Sequence, residues 1–392
     1  MRLFHHSHHV LGGTLLITGT SIGVGMLALP VVTAAGGFFP AIFLSVLCWL
    51  FMVASALLIV EACTWMPSEA NFITISARLL GKKGALACWI LYLYLFYCLM
   101  TAHTAAGGNA LYQLFDHTLS HSLSTFLYVL LFIPVIYLGT HAVDRLNIGL
   151  MTGVVLSYIC FIFIALPHVQ FSLLARHDWG TIWDSLPVML VMIGFQNMVP
   201  TLYNYMERDH QKLRKAIWIG SSIPLILYLL WELLILGSVP LDHLTTALEQ
   251  GQSGSAAFER TFQKTTVAAI AEFFALFAMS TSFAGISLAF SDFLADGFKW
   301  EKRGIKRILI LALIFGIPLI FVFSDPTIFI RALELGGGIG TILLFGFLPV
   351  LDVWAGRYIH KYSLSHQFIR GGKSTLIFLL ICSTLALISN VW

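Results

Sequence analysis

Long segments without a charged side chain follow one another through the whole of this chain, and they restrict its fold more than any other feature. Each is about as long as the ~20 residues that an α-helix needs to cross a hydrocarbon core of ~30 Å. Only 10% of the 392 residues are charged, against about 25% in an ordinary soluble protein. Because backbone polar groups in lipid must be satisfied internally, the pattern predicts an all-α polytopic membrane protein. The eleven predicted spans are 10–34, 38–66, 84–115, 122–139, 143–167, 185–206, 213–239, 263–295, 306–323, 328–351 and 374–392.

The placement of basic residues predicts the orientation of these spans. With the N-terminus inside, all but four of the 22 lysines and arginines lie on the cytoplasmic side, as the positive-inside rule requires. An odd number of spans then places the C-terminus outside, and residues 1–9 form a cytoplasmic tail. The longest loop, 240–262, is external and rich in Gly, Ser, Gln and Thr. It could be a mobile lid or a slack connection, and its composition favours the slack connection.

Two of the apolar segments are interrupted by residues that disfavour a continuous helix. The first interruption is TGTSIGVGMLALP at 18–30, and the second is IGFQNMVP at 193–200. Irregular backbone survives inside a membrane only where protein, water or a ligand satisfies its polar groups. Two broken spans in the two halves of a chain are typical of the solute site of a secondary transporter.

The spacing of two acidic residues after these interruptions indicates an internal repeat. Glu61 follows Pro30 by 31 residues, and Glu232 follows Pro200 by 32 residues. A broken span thus begins each of two five-span units, and an odd number of spans inserts the second unit with inverted topology. The predicted units are 10–167 and 185–351, followed by an eleventh helix at 374–392.

The first interruption has the chemistry to bind both ends of an amino acid. Gly23 and Gly25 permit non-helical dihedrals and close approach, while Thr20 and Ser21 offer hydroxyls. The positive end of the half-helix after the break can receive a carboxylate, and free carbonyls before the break can receive an ammonium. The alternative is that Gly19-x-x-x-Gly23 serves helix packing alone.

The second interruption is polar but uncharged. Gly194 supplies flexibility, and Gln196 and Asn197 supply hydrogen-bonding groups. Phe195 could pack against an aromatic solute or against a neighbouring helix, and the sequence favours neither.

Ionisable and hydroxyl side chains inside the spans are candidates for ion coupling. Glu61, His103, Glu232 and Glu272 could each relay a proton, although a structural role is at least as common for any one of them. The hydroxyls of the eighth span could line the path, bond across helices or help to hold sodium, which would need more oxygen donors than the sequence assigns. These hydroxyls belong to Ser280, Thr281 and Ser282. We expect no metal site and no cofactor.

Three stretches carry a resemblance to a known family: GTSIGVGMLALP followed by GGFFP, GFQNMVPTLYNYM, and LGGGIGTILLFGFLPVL at 335–351. They resemble the hydroxy and aromatic amino acid permeases, bacterial importers of tyrosine and tryptophan within the amino acid–polyamine–cation superfamily. The resemblance covers nearly the whole chain. It implies a LeuT-like five-plus-five inverted repeat with broken helices 1 and 6, and proton-coupled uptake of an aromatic amino acid across the inner membrane by alternating access.

The resemblance also implies substrate-binding positions, all of them in the two interruptions. Relatives often have GFHG where this chain has Gly194-Phe195-Gln196-Asn197, so Gln196 replaces a titratable His and coupling or selectivity can differ here. The implied binding residues are Thr20, Ser21, Gly23, Gly25, Met26, Gly194, Phe195, Gln196 and Asn197.

Other functions stay open at this stage. An exchanger or a sodium-coupled transporter on the same scaffold is the nearest alternative. A channel or sensor is less favoured, because the spans lack a continuous polar lining and the chain lacks a cytoplasmic signalling domain. We expect no enzyme, for want of a nucleophile–base or metal-ligand constellation. The expected partners are an aromatic amino acid, a proton and membrane lipid, with no nucleic acid.

Overall fold

The helices of the chain match the predicted membrane spans in number and order. A computed structural model describes residues 2–66, 70–115, 118–263, 266–362 and 367–389. Within them, ten helices are long and apolar enough to cross a membrane, and one bent pair makes an eleventh span. Residues 390–392 of the last predicted span lie outside the described part. The helices are α1 (Arg2–Ser21), α2 (Val24–Val32), α3 (Phe38–Thr64), α4 (Phe72–Leu114), α5 (His121–Leu138), α6 (Thr140–Ala165), α7 (Leu186–Met192), α8 (Val199–Tyr205), α9 (His210–Ser238), α10 (Leu241–Glu249), α11 (Gly254–Phe262), α12 (Thr266–Phe298), α13 (Gly304–Ser324), α14 (Ile328–Ile359) and α15 (Gly372–Ser389).

Both interruptions break their helices, over shorter stretches than the sequence suggested. In the first span, α1 and α2 meet at an angle of 52°, and only Ile22 and Gly23 lie between them. Pro30 lies inside α2, in its last turn, where it removes one backbone hydrogen bond to the preceding turn. In the sixth span, α7 ends at Met192, and α8 begins after an irregular turn that includes a short 3₁₀ segment at Gln196–Met198.

The helices pack as two groups. In the first group α1 and α3 pack against α9, and α2 packs against α7. In the second group α12 packs against α6 and α4, and α4 packs against α5. The broken helices thus belong to the first group, and the long helices of the second group form a separate frame. The two breaks lie in the buried interior.

The third span begins with a kinked segment that the sequence did not predict. Residues 72–80 form a short helix, and Gly81 then turns the chain with φ +75°, a value that favours glycine. Asn71 caps the short helix, because its side chain accepts a hydrogen bond from the backbone N–H of Thr74 at 2.9 Å. Phe72 and Ser76 are among the residues that it buries.

The tenth span is longer than predicted. It ends at Ile359 and not at residue 351, so Asp352 and Arg357 lie inside a helix and are both buried. Stretches of this helix are wound as π-helix, at Gly336–Phe347 and Ala355–Ile359. The predicted span ended before Asp352 because an ionisable residue was taken as its boundary, but in the structure Asp352 is buried.

The loop at 240–262 is folded, so the expectation of a slack connection was wrong. It forms the helical hairpin α10–α11, in which the side chains of Leu244, Ala247 and Phe258 are fully buried. Apolar residues three apart give each short helix one packing face, which the polar composition of the loop concealed. A Cβ atom at Gly254 would lie 3.3 Å from the carbonyl oxygen of Leu27, so the hairpin packs directly on α2.

Candidate functional site

The two breaks meet in the interior of the protein. A Cβ atom at Gly25 would lie 2.3 Å from the Cβ of Met192, so α2 and α7 touch at the glycine. The hydroxyl of Tyr228, from α9, donates to the carbonyl oxygen of Ser21 and lies 3.3 Å from that of Met192. These carbonyls belong to the last residues of α1 and α7. One phenol therefore satisfies carbonyl groups at both breaks, and the breaks form a single site.

The start of α2 is the positive end of a helix without a side-chain cap. Gly23, the residue before α2, has an extended backbone, and no side-chain hydrogen bond caps the helix. The hydroxyl of Ser282 on α12 donates to the carbonyl oxygen of Ile22 at 3.1 Å. A Cβ atom at Gly23 would lie 2.5 Å from the same hydroxyl. The first break is thus closed on one side by the eighth span, with backbone dipoles directed into the gap.

The remaining predicted residues of the first break take different positions. Ser21 is buried, and its hydroxyl donates to the carbonyl oxygen of Ile17 at 3.0 Å. Met26 is also buried. Thr20 is exposed, and its hydroxyl bonds back to carbonyl groups of its own helix. The structure therefore brings Ser21 and Met26 to the junction of the breaks but does not bring Thr20 there.

The second break is fastened to α3 through Gln196. The Oε1 atom of Gln196 accepts the backbone N–H of Phe195 at 2.9 Å, and its Nε2 atom donates to the carbonyl oxygen of Met52 at 3.0 Å. Phe195 and Gln196 are both completely buried, whereas Asn197 is exposed. Gly194 is half-buried at the end of α7. Gln196 thus supports the irregular backbone of the break, which is costly in an apolar interior when unsatisfied.

Glu61 forms a buried ion pair. Its two carboxylate oxygens accept from Nε and Nη2 of Arg357, each at 2.6 Å, in the two-pronged geometry of the strongest Arg–carboxylate pairs. Glu61 is 1% exposed and Arg357 5% exposed. The backbone N–H of Phe368 also points to Glu61, at 3.4 Å. The pair joins α3 to the end of α14.

Glu232 is buried as deeply but has a neutral partner. Both of its carboxylate oxygens lie 3.0 Å from the hydroxyl of Thr33, at the end of α2. The same hydroxyl lies 2.9 Å from the carbonyl oxygen of Leu29. Among the described residues no ion pair involves Glu232. The acid of the seventh span is therefore linked to the broken first span by one hydroxyl group.

The other predicted coupling residues are spread across the second group of helices. His103 on α4 is buried; its Nδ1 lies 2.7 Å from the carbonyl oxygen of Leu99, and its Nε2 has no partner within the described residues. Glu272 is half-buried on α12.

The three hydroxyls of the eighth span do not converge on one point. Ser282 bonds to Ile22 as described above, and Thr281 donates to the sulfur of Met151 at 3.5 Å. Ser280 is buried. The hydroxyls of Thr281 and Ser282 are thus engaged with two different elements.

Sequence reasoning missed four residues that organise these contacts: Thr33, Tyr228, Asp352 and Arg357. Tyr228 lies one helical turn before Glu232, so the neighbours of each intramembrane acid were the signal that would have found it. Arg357 was assigned to a cytoplasmic loop on its charge alone, and the partner that allows its burial is distant in sequence.

Comparisons with known proteins give a consistent result. The model of the tryptophan/tyrosine permease family matches residues 6–390. The chain is 31% identical to tyrosine-specific transport system 1 of Haemophilus influenzae, over 96% of this chain and 94% of the relative. It is 29% identical to a tryptophan-specific transport protein of the same organism, over 98% and 96%. The solved structure of MhsT in complex with L-phenylalanine covers 97% of both chains with a TM-score of 0.64 at 13% identity, which shows a shared LeuT-like fold.

Proposed function

This chain belongs to the tryptophan/tyrosine permease family, and on that premise we propose that it imports tryptophan or tyrosine together with a proton. Its family, relatives and fold make it a multi-pass transport protein of aromatic amino acids and not an enzyme. The proposal adds the coupling ion, the site and the mechanism of alternating access. It also adds the inner membrane, a cytoplasmic N-terminus, an external C-terminus and repeat units at 10–167 and 185–351.

The observation that carries the proposal is the junction of the two breaks at Tyr228. The start of α2 offers backbone N–H groups and a positive helix end to the carboxylate of an amino acid. The carbonyl oxygens of Ser21 and Met192, both near the Tyr228 hydroxyl, are acceptors for its ammonium. In this proposal the ammonium replaces the phenol at these carbonyls, and Phe195 borders the space for the aromatic ring.

Glu232 is the acid best placed to carry the proton. The single hydrogen of the Thr33 hydroxyl can point to an ionised Glu232 or to the carbonyl oxygen of Leu29. When Glu232 is protonated, it donates to Thr33 and Thr33 donates to Leu29, so both protonation states keep a complete set of hydrogen bonds. An unpaired carboxylate is costly in a dry interior, and the proton removes that cost. Because Thr33 is the C-terminal cap of α2, the proton acts on the helix that we propose to hold the substrate carboxylate.

The alternatives have weaker support in the geometry. Glu61 is neutralised by Arg357 and needs no proton. A sodium site would need several converging oxygens, whereas the hydroxyls of Thr281 and Ser282 are engaged with separate partners. His103 and Glu272 lie on helices that do not carry the breaks.

The coupling is tested with purified protein in proteoliposomes. We expect labelled tryptophan or tyrosine to accumulate when an inward proton gradient is imposed, and an inward sodium gradient at equal pH to have no effect. Exchange of internal for external substrate should proceed without any gradient. Accumulation driven by sodium alone, or exchange without accumulation under either gradient, would contradict proton symport.

The site is tested by adding single methyl groups. Gly25→Ala places a carbon 2.3 Å from the Cβ of Met192 and separates the breaks, so we expect substrate affinity to fall by about tenfold or more. Gly19→Ala is the matched control, because a Cβ atom there meets nothing within 4 Å. Equal substrate binding by the two variants, measured by scintillation proximity, would contradict a site at the junction.

A further inference from the structure

A second buried acid without a cationic partner lies at the opposite end of the protein from the α10–α11 hairpin. Asp352, in the last turns of α14, is 1% exposed. Its Oδ2 atom accepts from the hydroxyl of Ser76 at 2.9 Å, and its Oδ1 atom has no partner within the described residues. Ser76 lies on the short helix 72–80, so this acid holds an element of nine residues against the tenth span.

The surroundings of Asp352 contain one charged pair, and no described residue forms an ion pair with Asp352 itself. On α3 and on its own helix, Glu61 and Arg357 neutralise each other. On α4 the thiol of Cys88 is buried within hydrogen-bonding reach of Ser76. From α15, the ammonium of Lys373 lies over the rings of Trp354 and Tyr358, at 6.0 and 5.1 Å. Arg78 and Lys82, on and just after the short helix, are exposed.

One further titratable group touches the short helix. The Nε2 atom of His360, one residue after α14, lies 2.9 Å from the carbonyl oxygen of Leu79, and Nε2–H is the donor. His360 therefore fastens the end of the short helix, and Asp352 fastens its middle. Any response of this contact to pH must be assigned between these two residues.

We propose that Asp352 is a second proton-binding site, whose ionisation releases the short helix 72–80 from α14 and opens this end of the protein. The buried site favours the neutral acid, since one hydroxyl and an unpartnered oxygen leave an ionised carboxylate poorly solvated. When the proton leaves, water must reach the carboxylate, and in this proposal the short helix moves aside to admit it. The Gly81 turn, with its φ of +75°, is the hinge about which the helix moves.

In the orientation proposed above this end faces the cytoplasm, and the functional meaning of the site rests on that proposal. A proton bound at Asp352 then keeps the cytoplasmic side closed, and its loss to a neutral cytoplasm permits release of substrate. Glu232 would drive accumulation, whereas Asp352 would regulate the exit. The two acids differ in the element that they control: α2 for Glu232 and the short helix for Asp352.

The native Cys88 reports on the position of the short helix. In a variant that keeps Cys88 and has the other five cysteines replaced by alanine, the rate of alkylation by N-ethylmaleimide is measured from pH 5.5 to pH 8 in detergent. The same measurement on that variant with Asp352→Asn, a permanently neutral residue of equal size, corrects for ionisation of the thiol. We expect the ratio of the two rates to rise with pH by up to about tenfold per unit, the limit for one linked proton.

Two further variants assign the effect. Ser76→Ala removes the hydrogen bond that the described residues make to the carboxylate, and it should move the midpoint of the ratio to higher pH. His360→Gln should leave the rise with pH in place. A ratio that is constant with pH overturns the proposal, and so does a rise in the ratio that disappears when His360→Gln is present in both variants. Alkylation requires no transport, so failure of proton-driven uptake would leave this result standing.

Discussion

Glu61 and Glu232 occupy matching places in the two halves of the chain, yet their surroundings differ in one decisive respect. Each follows its break by almost the same number of residues, and each is fully buried in the span after the break. Glu61 is held by the guanidinium of Arg357, whereas Glu232 is held by the hydroxyl of Thr33. A charged partner fixes the carboxylate in its ionised form, and a neutral partner permits either form. Repeat symmetry therefore predicts the position of an acid but not its chemistry.

The two acids also connect different parts of the protein. The Glu61–Arg357 pair joins α3 to the far end of α14, close to the segment that begins at residue 367. The contact between Glu232 and Thr33 joins α9 to the end of the broken first span. We therefore expect the first acid to matter for stability and the second for transport, and three variants separate these effects.

The largest effect is expected from Arg357→Met, which leaves Glu61 buried without a partner. Breaking a buried pair in this way costs about 3–5 kcal/mol, because an uncompensated charge remains in the interior. We expect a large fall in the thermal unfolding temperature of the purified protein, or loss of folded protein. Glu61→Gln combined with Arg357→Met removes both charges and is the control, which should recover most of the lost stability. If the double variant is no more stable than Arg357→Met, the ion pair is not the cause.

The next effect is expected from Glu232→Gln, which changes transport with little change in stability. The amide of Gln can still bond Thr33, so the free energy of unfolding should stay within about 1 kcal/mol of the original. Accumulation of substrate under a proton gradient should disappear, while exchange continues, because the proton has lost its binding group. The comparison with Glu61→Gln sharpens the result: we expect that variant to lose stability and any activity that it retains to stay proton-driven. Proton-driven accumulation by Glu232→Gln would show that the proton binds elsewhere.

The smallest effect is expected from Thr33→Val, which removes the hydroxyl and keeps the shape of the side chain. Loss of the hydroxyl that donates to Glu232 costs about 1 kcal/mol of stability. It also disfavours the ionised acid, so the pH dependence of uptake should move to higher pH. Thr33→Ser retains the hydroxyl and should retain the original pH profile. A profile unaltered by Thr33→Val would break the proposed link between Glu232 and α2.

Most of the fold could be predicted from the sequence, because lipid imposes one rule on every span. Helices without charges must cross the membrane, and glycine with proline and hydroxyl residues marks where a helix is broken. For this reason the eleven spans and both breaks were predicted correctly. The family was predicted correctly on a different ground, the resemblance of three sequence stretches. The boundaries were less accurate at Asp352, since the rule treats a charge as the end of a span.

The contacts within the site could not be predicted in the same way. Tyr228 reaches Ser21 across 207 positions, and Arg357 reaches Glu61 across 296. Periodicity and composition describe one segment at a time, so they contain no information on which distant side chain satisfies a given polar group. Gln196 illustrates the limit: the sequence marked it as a departure from relatives, but only the structure shows that it fastens the break to Met52.

The hairpin α10–α11 has a practical consequence for inhibition. It rests on α2 through Gly254, beside Pro30, while residues such as Leu248 remain exposed. In the proposed orientation this surface faces the outside of the cell. An antibody fragment that clamps the hairpin would therefore immobilise the helix that we propose to bind the substrate carboxylate, without entering the membrane or competing with substrate. Such an inhibitor would lower the maximal rate of uptake and leave the apparent affinity for external amino acid unchanged.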